Sequence, residues 1–252
     1  MGAVADGARA VDAAAHGYQG DPALLDGPWL KNAVGVEADV GALVDDLSRP
    51  IAWEGLGMKP LSTARQALAP VQALNELIAE GLDPACIDTV EVFAPQAFAA
   101  MISRPLEPLR SSGYVHVGFQ MALAALKPSA LFDLDRSDVI TDRTLRAFAD
   151  RVRVVADPAL DALYPEAWPA EICVCAGGRE LRIRVDVAHG DASDPLSADE
   201  VRAKSRSLLR PLMTAAEAET TIAVFETAFE TDNAFATAAF CMREALVPPA
   251  SG

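Results

Sequence analysis

Three observations predict an α+β fold. Helical spacing of apolar residues fills both ends of the chain. Alternating β-formers appear only in the middle. Strands and helices do not alternate strictly, which argues against a doubly wound parallel sheet. Taken in order, residues 3–16, AVADGARAVDAAAH, predict an Ala-rich helix, because Ala is the best helix former. Gly17 fits the position just past its C-terminus. The next segment, DPALLDGPWLKNAVG, holds two turn signals, Asp21-Pro22 and Gly27-Pro28. Residues 36–47 allow another short helix, and PIAWEGLGMKP at 50–60 reads as extended and punctuated by Gly and Pro.

From Thr63 to Glu80 the apolar residues Ala64, Leu68, Val71, Leu74, Leu77 and Ile78 recur at helical spacing. Pro70 inside this run is predicted to kink or restart the helix, and Gly81 to end it. IDTVEVFA at 87–94 alternates as a strand does. Residues 118–126 predict a buried Ala-rich helix stopped by Lys127-Pro128. Residues 138–151 predict an amphipathic helix with Thr141 as its cap. RVRVVA at 151–156 is a second strand, and 171–187 a hairpin turning at Gly177-Gly178. Ser197 and Glu200 have capping-box spacing before a helix over 198–210. Residues 214–231 and 233–246 continue the helical pattern. No internal repeat or low-complexity linker interrupts the chain.

The 252 residues carry 21 Lys and Arg against 36 Asp and Glu, a formal charge of −15. That balance argues against binding nucleic acid or an anionic membrane surface, both of which need clustered cations. No run of about 18 apolar residues offers a membrane span. The start, MGAVADGARAVD, lacks a signal peptide's basic and apolar regions, and Asp6 breaks a myristoylation motif. The cysteines Cys86, Cys173, Cys175 and Cys241 have no CxxC spacing and no neighbouring His, so a zinc site is not expected. Cys173 and Cys175 stand two apart in a strand and face the same side, which prevents their easy pairing. Reduced thiols and a cytoplasmic location are the expectation. The first helix stands almost at Met1, and an isolated Ala-rich helix is marginal in water. This predicts a covering surface that the chain does not supply.

The order of motifs resembles the second half of the MmgE/PrpD family, which contains 2-methylcitrate dehydratases, cis-aconitate decarboxylases and an iminodisuccinate epimerase. The resemblance rests on GARAVDAAAHGYQGDPALLDGP, MKPLSTARQALAPVQAL, IDTVEVFAP, HVGFQMALAALKP, RVRVVADPALDALYPEAWPAEICVCAGGRELRIRV and DASDPLSADEVRAKSRSLL, in that order. It implies late helices of a helical domain over 1–54, an inserted α+β lid over 55–195, and helices returning to the first domain over 196–252. It further implies that a second chain carries the missing N-terminal helical half, giving a heterodimer or heterotetramer. A truncated fragment is the competing account.

The family's reactions share a proton transfer at a carbon next to a carboxylate, and dehydration, decarboxylation, epimerisation or cyclisation can follow. Such a site needs cations for the carboxylates and a base near the acidic carbon. The resemblance implies no metal and no cofactor, and Gly177-Gly178 is a turn rather than a dinucleotide loop. Lys59 falls on the signature lysine, with binding of a substrate carboxylate as one reading and a solvated surface lysine as the other. Arg65 can clamp a carboxylate or pair with an acid. Gln66 and Ser62 complete the candidate substrate contacts, although Ser62 and Thr63 also suit a helix cap. His116 and Tyr114, at the entrance to the next helix, are the candidate acid/base groups, with a structural role as the alternative. The family's Asp and His candidates from its first half have no counterpart here, and the resemblance places them on the partner. Where the family carries histidines after its lysine, this chain has Ala64 and Leu68. The family's helix tyrosine falls on Phe119, and its Ala-rich-helix lysine near Ala5. His16 and His189 read as end caps, and Trp29, Trp53 and Trp168 as packing residues. Two rivals to the split enzyme remain: a non-catalytic stabilising or regulatory partner, and a homodimer using its own His116 or Tyr114.

Overall fold

The computed structural model describes residues 2–20, 31–32, 35–37, 39, 41, 45 and 55–227. The chain divides into two compact units, Met1–Glu54 and Gly55–Gly252. In the first, α1 spans Gly2–Ala15. Gly17 follows at φ +88°, which a residue without Cβ adopts freely. The His16 ring caps the helix end, with Nδ1 2.8 Å from the Asp12 carbonyl. The turns predicted at 21–30, most of the helix at 36–47, the helix at 233–246, Trp29, Trp53 and Cys241 lie outside the described residues.

The second unit is α+β, built on a four-stranded sheet in the order β2-β1-β3-β4. β1 is Ile87–Ala94, β2 Val152–Ala156, β3 Ala170–Ala176 and β4 Arg179–Val185. β1 pairs with β2 in parallel, and the other two pairings are antiparallel. The parallel step is bridged by α3 (Gln96–Ile102), α4 (Arg110–Val115), α5 (Val117–Leu126) and α6 (Arg143–Ala149). The hairpin turns where predicted, with Gly177 and Gly178 both at positive φ. On the inner sheet face Val90, Val92, Ile172 and Val174 are buried. A register irregularity between Ile87 and Thr89 turns Ile87 inward as well.

Two helices cover that face. α2 spans Leu68–Ala79 and packs on β3, β4 and α5. Pro70 falls in its first turn, where the missing N–H has no helical partner in any case. Of the predicted kink or restart the chain shows a restart: a 3-10 turn over Arg65–Ala67 gives way to the α-helix at Leu68, two residues before Pro70. α5 is nearly all buried, from Val117 to Ala124. α6 begins later than predicted and is capped by Asp142, whose carboxylate accepts from the Thr144 and Leu145 N–H groups at 2.8 and 3.2 Å, not by Thr141. The aromatic rings of Phe98, Tyr164 and Trp168 pack together at 5.0–5.7 Å.

On the outer face Cys173 and Cys175 share one side of β3. Cys173 lies opposite Arg182, which pairs with Glu171 and Glu180 at 3.1 and 2.9 Å. α7 (Ala198–Leu209) and α8 (Ala215–Glu226) close the described chain, and each starts with a full capping box: Ser197 with Glu200, and Thr214 with Glu217. No helix among the described residues is long and apolar enough to cross a membrane.

Candidate functional site

Lys59, Ser62 and Arg65 lie on one short stretch, GMKPLSTAR at 57–65, which leads into α2. The stretch is held at five places, four of them through its backbone. At the first, Gly57 passes so close to Gly190 and Asp191 that a Cβ on Gly57 would lie 2.6 Å from the Gly190 carbonyl oxygen. Next, the Lys204 ammonium of α7 donates to the Lys59 carbonyl at 2.6 Å. The Arg136 guanidinium donates to the Ser62 carbonyl at 2.6 Å. The Tyr114 carbonyl then accepts from the Ala64 N–H at 3.0 Å and the Thr63 hydroxyl at 3.2 Å. Finally, Arg65 pairs with the buried Asp191 carboxylate. From this stretch the exposed Lys59 donates its ammonium to the Thr63 carbonyl at 2.7 Å. No carboxylate lies within ion-pair distance of it among the described residues. Leu56 and Met58 are exposed beside it.

Arg65 is engaged with Asp191 and lies 5.8 Å from the centre of the Trp168 ring, so its fork is occupied on one side. Gln66 reaches away from Lys59 to the Met101 sulfur at 3.8 Å. Ser62 contributes its carbonyl. Neither Ser62 nor Thr63 is a helix cap: Ala64 precedes the 3-10 turn Arg65–Ala67 and Ala67 precedes α2, neither with a side-chain hydrogen bond, and the Thr63 hydroxyl donates to the Tyr114 carbonyl.

Tyr114 and His116 border the same stretch through the Tyr114 backbone, but both side chains are committed elsewhere. The Tyr114 hydroxyl donates to the Leu134 carbonyl at 2.7 Å. His116 caps α5, its Nδ1 accepting from the Phe119 N–H at 3.1 Å. Burial lowers its pKa, outweighing the raising effects of its backbone hydrogen bond and of Asp150. A neutral imidazole accepting at Nδ1 carries its proton on Nε2, as a cap requires.

Arg136 is a site residue that the sequence analysis does not name. It is fully buried at 0% exposure and sits at φ +55°. Its Nε donates to the Asp133 carbonyl at 2.9 Å, and Nη2 reaches the Leu131 carbonyl at 2.8 Å as well as Ser62. The guanidinium lies 4.3 Å from the Tyr114 ring centre. Burial lowers its pKa.

His189 joins the Gly190–Asp191 turn to α7. Its Nδ1 and Nε2 lie 3.0 Å from Asp194 and 2.7 Å from Glu200. Hydrogen bonds to Glu200, then to Asp194, raise its pKa. Ser197 and His189 hold Glu200 down at about 2.

The sequence model of the MmgE/PrpD C-terminal domain matches residues 62–229. The chain belongs to the MmgE/PrpD family. This family is related to dehydratase- and lyase-type enzymes. The MmgE/PrpD match begins at Ser62, so Arg65, Gln66, Tyr114, His116, Arg136 and Lys204 fall inside it, and Lys59 stands three residues before it. No curated protein matches the chain.

Proposed function

We propose that this chain is the lid-bearing subunit of a two-chain MmgE/PrpD lyase or isomerase. It moves a proton next to a carboxylate or carbonyl of a small substrate, with Lys59 holding the carboxylate and the principal base on a second chain. The observation that carries this reading is the Lys59 stretch itself. Two cationic side chains, Lys204 and Arg136, bond its backbone carbonyls, a third, Arg65 of the stretch itself, ties its end to Asp191, and the lysine left at its surface has no acid partner among the described residues. A fixed cation costs no reorganisation when charge develops on a substrate carboxylate. Removing a proton beside that carboxylate leaves an electron pair that delocalises onto the carboxylate oxygens, where Lys59 neutralises it. Tyr114 and His116 are engaged in a backbone hydrogen bond and a helix cap, which supports a base supplied from elsewhere.

A second reading, a non-catalytic partner, is favoured by Ala64, Leu68 and Phe119 standing where the family carries histidines and a tyrosine. Co-expression with the product of the adjacent reading frame decides between them. The lyase reading expects a fixed-ratio complex whose turnover Lys59→Ala abolishes. Unchanged turnover in a Lys59→Ala complex sinks the substrate-binding role and leaves the scaffold.

A further inference from the structure

The sequence has four lysines, Lys31, Lys59, Lys127 and Lys204, and its other seventeen basic residues are arginine. Lys31 pairs with Glu37 at 3.1 Å. Lys59 and Lys204, which are 145 residues apart, meet at one carbonyl: the Lys204 ammonium lies 2.6 Å from the Lys59 oxygen. Burial, and after it the Lys59 charge, lowers the Lys204 pKa. Neither has a carboxylate within ion-pair distance among the described residues. Glu200 borders the same groove as Lys204, but its carboxylate is held by the Ser197 N–H and hydroxyl at 2.8 and 2.7 Å and by His189. That groove, about 210 Å³, is otherwise lined by Pro60, Leu61, Phe132, Leu196, Ala203 and Ser207, so Lys204 is reachable from solvent.

A neutral donor would anchor the Lys59 carbonyl without repulsion. In a chain of net charge −15, acids to relieve the repulsion are abundant, yet none lies within ion-pair distance of either lysine among the described residues. An uncompensated pair of like charges is relieved when an anion arrives. We propose that Lys204 is a positioning residue of the Lys59 site. It fixes, through the Lys59 carbonyl, the backbone from which Lys59 reaches a carboxylate, and its charge adds to the field that draws the carboxylate in. This inference rests on the reading of Lys59 given above.

The test follows the lysine Cε signals by NMR in the full chain, and in the complex where a second chain copurifies. Sodium succinate is the probe, with sodium chloride at equal ionic strength as control. Lys59 and Lys204 are expected to shift together and saturably while Lys31 stays still, and succinate should raise the Lys204 titration midpoint. Lys204→Gln keeps a donor and loses the charge, so succinate affinity should fall ~10-fold, with Lys204→Arg within about threefold of the parent. The melting temperature should be unmoved in both. If Lys59→Ala abolishes binding while Lys204→Gln binds as the parent does, Lys204 is only a structural tie and the inference is overturned, with the Lys59 reading intact. If succinate moves neither lysine, or Lys59→Ala binds normally, the Lys59 reading falls and takes this inference with it.

Discussion

Arg136 is the most demanding residue in the described fold, and removing it tests how the Lys59 stretch is held. Its guanidinium is fully buried and makes three bonds to backbone carbonyls, at 2.6, 2.8 and 2.9 Å. A hydrogen bond from a charged donor contributes about 1.5–3 kcal/mol, so three give about 4.5–9 kcal/mol. Burying the cation costs several kcal/mol, which its removal returns. The net expectation for Arg136→Met, whose chain fills most of the same space, is a loss of about 3–5 kcal/mol. The residue also keeps φ +55°, which costs a side-chain-bearing residue about 1–2 kcal/mol. The fold accepts that strain only if the guanidinium contributes more. Urea denaturation followed by circular dichroism measures the difference. Using about 2–4 °C per kcal/mol for a unit of this size, the melting temperature should drop by about 6–20 °C. Arg136→Lys keeps the charge without the fork and should fall between the two. An Arg136→Met chain within about 1 kcal/mol of the parent refutes the reasoning, because the three carbonyls would then be satisfied some other way.

Two further predictions concern histidines. His116→Ser should keep the α5 cap, whereas His116→Ala should lose about 1 kcal/mol in the same denaturation series. Turnover of a His116→Ser complex should equal the parent's, and its collapse would restore His116 as an acid/base group. The pH dependence has opposite signs at the two sites. His116 has a lowered folded pKa, so its contribution is present above about 6.5 and is lost as pH falls below that. His189 has a raised folded pKa, so its contribution is complete below about 6.5 and is lost as pH rises through the folded value. Glu200, held at about 2, contributes above its ordinary value and keeps contributing until the pH approaches 2. Melting curves from pH 4 to 9 should therefore show His189→Asn costing most near pH 5 and least near pH 9. A pH-independent cost would disprove the bridge to Asp194 and Glu200.

Local chemistry in the sequence foretold what local chemistry decides. The Ser197–Glu200 box, the Gly177-Gly178 turn and the alternation of 87–94 each need only neighbours within a few residues. The errors arose where a distant group competes. Thr63 has the composition of a cap, but Tyr114, 51 residues away, takes its hydroxyl. The cap of α6 is a local departure instead: the Asp142 carboxylate, one residue nearer the helix than Thr141, satisfies two N–H groups. Arg65 meets an acid 126 residues away, and the Lys204–Lys59 tie spans 145. Arg136 was invisible because a buried arginine bonded to carbonyls has no sequence period and needs no acidic neighbour in the chain.

These long-range ties bear on whether the chain acts on a substrate or only supports an enzyme. A supporting surface needs buried area and shape, which apolar side chains provide more cheaply than charge. In this chain cations are outnumbered, 21 to 36. Two of them nevertheless bond the backbone of one short stretch, Arg136 at the cost of complete burial, and a third, Arg65, ties the end of that stretch to Asp191. The product is an exposed lysine at a fixed place, a second lysine beside it, and no acid to neutralise either among the described residues. Packing alone gives no reason to build that arrangement, whereas a carboxylate ligand does.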